Sequence, residues 1–316
     1  MTVKEFKGSY QEAARGTRPS FNASIPIMTT GRKPTRNAAG DKAQVPSFES
    51  VPISHSLLLL SDSALPLGSF AYSSGLESYI AHHKPLPPYV TPFTSFNRFL
   101  SLSLASIAST TIPYLRRAHR QPEELERLDN DLDASTPCTV ARRASVAQGL
   151  AMLQVWERAL KSSAIQRIQE GQRDSQHHTV RAVAVLDQFS ESLKNVGVDE
   201  EHDEVNGAVN GHFAPLWAVV CLALDIDLEQ AAYVFMLNHA KAVLSAAVRA
   251  SVMGPYQSQG VLAGNALQKT IAELLQKEWW TEPEDAGQVV PIMDLWMGRH
   301  ELLYSRISTP DSSACA

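Results

Sequence analysis

The sequence predicts an all-α protein, a single-domain bundle of roughly eight to ten helices behind a disordered N-terminal extension. Three observations carry this. No stretch alternates β-branched and polar residues as a half-buried strand does. Apolar residues return instead at spacings of three and four, as in Phe93, Phe96, Leu100, Leu104 and Ile107. Finally, Leu228 to about Met253 is apolar nearly all round, which is the composition of a helix buried inside a bundle.

Taken in order, residues 1–50 have no continuous apolar run and are rich in Gly, Pro, Ser, Thr, Lys and Arg. This reads as a disordered extension. It is not a secretory leader, and Glu5, Glu12, Asp41 and Glu49 count against a transit peptide. The helical domain occupies 51–310. A short helix over 54–60 ends near Ser61–Asp62. The stretch Leu57–Glu77 then breaks at Pro66 and Gly68, yet apolar residues keep arriving: Leu65, Leu67, Phe70, Tyr72, Leu76. A solvated linker would be polar there, so this loop should press against the core or a partner. Ser73 or Ser74 can cap a helix with Glu77 in its first turn, and Pro85, Pro87 and Pro88 stop it near Lys84.

A long helix runs from Tyr89 to about Arg120, with a kink expected at Pro113. Glu123–Asp133 is a short acidic helix or turn, and Ala141–Leu160 is again periodic. Residues 161–211 read as an insertion or loop region, with a helix over Val180–Phe189 and a solvated acidic segment at 199–204. His212–Leu224 and Leu228–Met253 are buried helices, the second capped by Asp227. Ser258–Trp280 and Pro291–Ile307 complete the set. On the 228–253 helix, Asn238, Lys241, Ser245 and Arg249 fall in a single line.

The formal net charge of −5 and pI near 6.1 argue against a nucleic-acid grip, which needs a basic face. The three cysteines, Cys138, Cys221 and Cys315, form no CxxC pair and no disulfide framework, which fits a reducing, cytoplasmic compartment. The longest apolar run, Phe213–Leu224, is too short to span a bilayer, so no membrane partner is expected.

Catalytic and metal motifs are mostly missing. There is no GxxxxGK[ST], GxGxxG or GxSxG. His300-Glu301-Leu302-Leu303-Tyr304 begins like a zincin but has Tyr at the second ligand position. Asp129, Asp131 and Asp133 imitate an EF-hand start, but Ala134 stands where Gly is needed. The adjacent pairs His82-His83 and His177-His178 point about 100° apart on a helix and seldom chelate one ion. His82 and His83 are kept only as weak metal candidates. The reading from residues alone is a soluble all-α protein that binds another protein.

The stretch LSDSALPLGSFAYSSGLES closely resembles the N-terminal signature LSDSALPxGGFxHSxGLE of the urease accessory protein UreF family. Ser69 replaces the second Gly and Tyr72 the usual His. Further segments resemble the family in order: Arg142, Ala144, Gln148 and Gly149; His212-Phe213-Ala214; Ala246-Ala247-Val248-Arg249 with Gly254-Pro255-Tyr256-Gln257; and Pro291–Ser305 with His300-Glu301. The similarity spans about 53–310, leaving out 161–207.

The resemblance implies an all-α chaperone or scaffold without catalysis of its own, dimeric when assembled. Such a protein bridges a UreD/UreH-type accessory protein and the GTPase UreG, regulates the GTPase step, and serves nickel delivery to apo-urease. No cofactor is bound stably; nickel is the delivered ion. The expected partner-binding residues are Ser61, Asp62, Leu65, Pro66, Gly68, Phe70, Tyr72, Gly75, Leu76, Glu77, Lys241, Arg249, Tyr256, Gln257, His300 and Glu301. The loop 57–77 and the C-terminal tail are expected to form the surface facing UreD/UreH, with a dimer axis along 212–253. The alternatives are a direct nickel-binding metallochaperone and a helical interaction scaffold without a urease role.

Overall fold

The computed structural model describes residues 55–170, 176–195 and 209–302, and these are all-α, with no strand among them. The expected extension at 1–50, the acidic segment at 199–204 and the tail beyond Leu302 lie outside the described residues. The helices are α1 His55–Ser61, α2 Leu76–His82, α3 Pro92–Arg120, α4 Leu125–Ser135, α5 Thr139–Val155, α6 Lys161–Glu170, α7 Gln176–Asn195, α8 Phe213–Ala223, α9 Leu228–Arg249, α10 Pro255–Leu262, α11 Asn265–Glu278 and α12 Ile292–Arg299. A π-helical turn, Trp156–Leu160, joins α5 to α6. All of these belong to one compact unit.

The apolar periodicity builds the expected core. α3 is the long central helix and packs on α8, α9 and α11. Its start is set locally: Thr91 Oγ1 accepts from Thr94 N at 3.1 Å, and Pro92 takes the first turn, where a missing N–H costs nothing. Arg117, His119 and Arg120 sit at the negative end of its dipole. The helix runs on through Pro113, although a proline there frees the carbonyl four residues back. That carbonyl, Ser109 O, accepts instead from Gly287 N at 3.3 Å.

α8 is the most enclosed element, covered by α3, α5, α7 and α9. Among the described residues α8 has no exposed residue, and α9 keeps a half-exposed strip within the expected dimer region 212–253. By length and mean hydropathy the span-like segment is Leu228–Arg249 rather than 213–224, and more than half of its most apolar window is buried in the bundle. The region 161–211 holds more helix than expected. α6 and α7 occupy it, and α7 covers α8 with Ala182, Leu186 and Phe189. Ion pairs from Lys161 to Asp187 at 2.5 Å and from Arg181 to Glu123 edge this packing.

Several helix ends differ from the sequence reading. α9 stops at Arg249, not Met253, because Ser251 turns left-handed at φ 57° and Val252 N donates back to Ala247 O at 3.0 Å. Asp225 (φ 57°) ends α8 the same way, with Ile226 N on Cys221 O. The single helix expected over 258–280 is two, parted at Ala263-Gly264. Neither Ser73 nor Ser74 caps α2. Gly75 is its N-cap, with no side-chain hydrogen bond. Asp227 precedes α9 without a side-chain cap.

A buried polar knot joins α4, α5 and α8. The Asp129 carboxylate, fully buried, accepts from the backbone N–H groups of Asn210 (2.6 Å), Gly211 (3.1 Å) and His212 (2.6 Å). It fixes, from another helix, the backbone that leads into α8. Phe213 N donates to Ser145 Oγ at 3.2 Å, and Ser145 Oγ lies 3.0 Å from His212 Nδ1. His212 Nε2 donates to Asp133 at 3.1 Å, because a carboxylate can only accept. The acidic run that imitates an EF-hand is thus a structural brace.

Candidate partner-binding surface

The loop between α1 and α2 is shaped by its own backbone. Asp62 Oδ1 accepts from Ala64 N at 2.9 Å, closing a small turn at the exposed start, next to the exposed Pro66. Gly68 is left-handed at φ +66°, with nothing within 4 Å of where a Cβ would stand, so it is there for conformation and not for space. It opens the tight turn Ser69–Ala71. Leu67 and Leu76 are buried, Leu65 packs on the core from its edge, and Phe70 stays 61% exposed. Burial pushes the half-buried Tyr72 hydroxyl up. Ser69, where the family signature has Gly, donates to Gln148 Oε1 of α5 at 2.8 Å.

The polar line of α9 lies behind this loop. Asn238 Nδ2 donates to Leu60 O at 3.0 Å, and Lys241 Nζ donates to Ser61 O at 2.6 Å. These are terminal carbonyls of α1, which have no partner within their own helix. Burial pushes the Lys241 ammonium down, against the opposing pull of Asp62. Half of the line is therefore a structural clamp.

The C-terminal strap, α12 and the following turn His300–Leu302, meets the loop at Gly75. This residue is left-handed at φ +85°, and a Cβ on it would lie 2.8 Å from both Trp296 C and Met297 N. Trp296 stands edge-on to Tyr79, with ring centroids 4.8 Å apart. Glu77 Oε2 is 3.4 Å from His300 Nδ1, and Glu301 pairs with Arg143 of α5. Loop, α2, α5 and strap thus form one surface. Leu295 (64%) and Leu302 (82%) of the strap are exposed, as Phe70 of the loop is. Periodicity could not flag the strap leucines, because an apolar residue on a short helix reads as core.

Arg249 ends α9, which packs against the Ser69–Ala71 turn of the loop, and Tyr256 and Gln257 lie on α10. Arg249 donates to Ser245 Oγ at 2.8 Å at the far end of α9. Tyr256 and Gln257 are exposed on α10. Among the described residues, no hydrogen bond or ion pair links these three to the loop or the strap.

His82 and His83 are spent on local bonds. Their Nδ1 atoms donate to Ser78 O (2.6 Å) and Tyr79 O (2.8 Å), and His82 Nε2 accepts from Arg299 at 2.7 Å. His82 therefore has no free lone pair in this arrangement. No group of three or more His, Cys, Asp or Glu side chains suited to a metal ion occurs among the described residues.

Comparison with known proteins gives this geometry a family. The UreF family model matches residues 90–266, more than half of the chain. The chain belongs to the UreF family. It is 34% identical over 253 residues to a Schizosaccharomyces pombe protein named "Uncharacterized urease accessory protein UreF-like", covering 80% of this chain and 95% of that one. It is 27% identical to "Urease accessory protein 6" of Cryptococcus neoformans var. grubii, with 80% and 96% covered. It is 28% identical to "Urease accessory protein F" of Arabidopsis thaliana, with 78% and 89% covered. The UreF match runs from the start of α3 into α11, so the loop and the strap flank it on either side.

Proposed function

We propose that this urease accessory protein works without catalysis of its own, as a scaffold in nickel-dependent maturation of urease. The loop–strap surface seats a UreD/UreH-type accessory protein. The GTPase UreG is bridged to it and regulated through contacts that include Arg249, Tyr256 and Gln257. Apo-urease receives nickel as the cargo of the assembly, which works in the cytoplasm with this chain as a homodimer. The observation that supports this best is the contact of Gly75 with Trp296–Met297. It brings two segments far apart in sequence into contact, and Phe70 of the first and Leu295 and Leu302 of the second remain exposed.

Co-purification of tagged UreD/UreH with this chain carrying Phe70→Asp tests the reading. Loss of recovery with an unchanged far-UV spectrum supports it, and full recovery removes the loop from the interface. Disruption of the gene followed by a urease assay tests the wider role: undiminished urease activity would exclude it.

A further inference from the structure

Residues 62–75 of the loop carry several hydrogen bonds, and nearly all of them are local. Leu65 N donates to Asp62 O at 3.2 Å, Ala71 N to Gly68 O at 2.9 Å and Tyr72 N to Ser69 O at 3.3 Å. Such bonds shape the loop but leave its position on the bundle open. Leu65 and Leu67 hold it by apolar contact, which has no direction. One bond reaches further. Ser69 Oγ donates to Gln148 Oε1 of α5 at 2.8 Å. Among the described residues it is the one hydrogen bond from 62–75 to a helix other than the neighbouring α1 and α2.

The sense of this bond is fixed by its surroundings. Gln148 Nε2 donates to Ala144 O at 3.0 Å, and a carbonyl can only accept, so the amide turns its oxygen to Ser69. α5 is itself held there, because the next residue, Gly149, lies against Gly211. On the loop side, Ser69 opens the turn Ser69–Ala71, and Phe70 follows it, exposed. Tying down Ser69 therefore sets where Phe70 stands. We infer that Ser69 and Gln148 are a positioning pair, whose bond holds the turn so that Phe70 meets the partner protein already in place. This rests on the loop being the surface that faces UreD/UreH. A segment that is ordered in advance loses less entropy on binding, so the pair acts on affinity without either side chain having to touch the partner. The glycine that the family signature has at this position could not donate the bond, so the pair is a feature of this sequence.

The experiment reads the free chain and the complex separately. Ser69→Ala and Gln148→Leu each remove the bond, and Gln148→Glu keeps an acceptor for it. In the full chain alone, hydrogen exchange of peptides covering 65–76 is followed by mass spectrometry. Both removals are expected to speed it by about threefold to tenfold, the worth of one neutral hydrogen bond, and Gln148→Glu to leave it within about twofold. The double variant, Ser69→Ala with Gln148→Leu, is expected to match either single one, because the two residues share one bond. Unchanged exchange in α3 verifies that the bundle stays folded. Titration against UreD/UreH is then expected to show affinity lowered by a similar factor in both removals and kept by Gln148→Glu. Unchanged loop exchange, or single effects that add in the double variant, overturns the inference. Faster exchange with unchanged affinity overturns the positioning role where Phe70→Asp abolishes binding. Where Phe70→Asp leaves affinity unchanged as well, the loop interface itself falls, and the inference with it.

Discussion

Gly149 of α5 touches the chain at Gly211: a Cβ on Gly149 would stand 2.0 Å from Gly211 O and 2.8 Å from Phe213 N. Two family-like segments, far apart in sequence, meet here backbone to backbone. Gly149→Ala must push α5 and the start of α8 apart. The expected loss is about 3 kcal/mol, the upper end of overpacking costs, read as a lower urea midpoint.

The carboxylate of Asp129 holds the backbone that leads into α8. Asp129→Ala removes the acceptor of three backbone N–H groups, two of them fully buried. The amides of Gly211 and His212 are fully buried, and each stranded buried donor costs about 1–3 kcal/mol, so at least about 2 kcal/mol should be lost. Asp129→Asn keeps one acceptor oxygen and should lose less. Urea unfolding of both variants checks the order.

At Gly75, a side chain is both sterically blocked and conformationally strained. Gly75→Ala should lift the strap locally while the bundle stays folded. Trypsin cleavage after the exposed Arg299 is expected to accelerate by about tenfold or more, corresponding to about 1.4 kcal/mol of local opening. An unchanged cleavage rate would separate the strap from the loop. The same variant should recover less UreD/UreH in co-purification.

Acid should weaken the fold through partly buried histidines at helix contacts. His239, 2.7 Å from Ser103 Oγ across the α3–α9 contact, is pushed by burial from 6.5 down to about 4. His119, at Ile226 O, is lowered by the same cause. Between pH 6.5 and 4 the unfolded chain takes up a proton at His239 that the folded chain refuses. Its contribution is therefore fully present above pH 6.5 and lost as pH falls toward 4, at no more than about 1.4 kcal/mol per pH unit. His239→Gln should flatten the decline in urea midpoint between pH 7 and 5.

Much of the candidate surface is legible in the sequence, because its signal is local. Pro66, Gly68 and the apolar residues around them announce a covered loop within a single stretch. The partner of that loop is not legible. Gly75 signals a turn, but its second role, seating Trp296, depends on a residue more than two hundred positions away. The line Asn238, Lys241, Ser245, Arg249 is visible as helical geometry. Only the structure shows that Asn238 and Lys241 close the end of α1 while Arg249 binds within its own helix. Asp129 reads as part of a failed calcium loop because its true ligands, the amides at 210–212, are invisible to spacing.

By itself the sequence determined an all-α chain, its main helices and the loop that breaks them, since periodicity and proline or glycine punctuation act within a few residues. Tertiary structure decided where α8 and α9 end, how Pro113 is absorbed by Gly287, and which polar groups brace the core. Those outcomes depend on unpaired N–H and C=O groups finding partners across the fold. That accounting is closed between distant residues, and no local pattern records it.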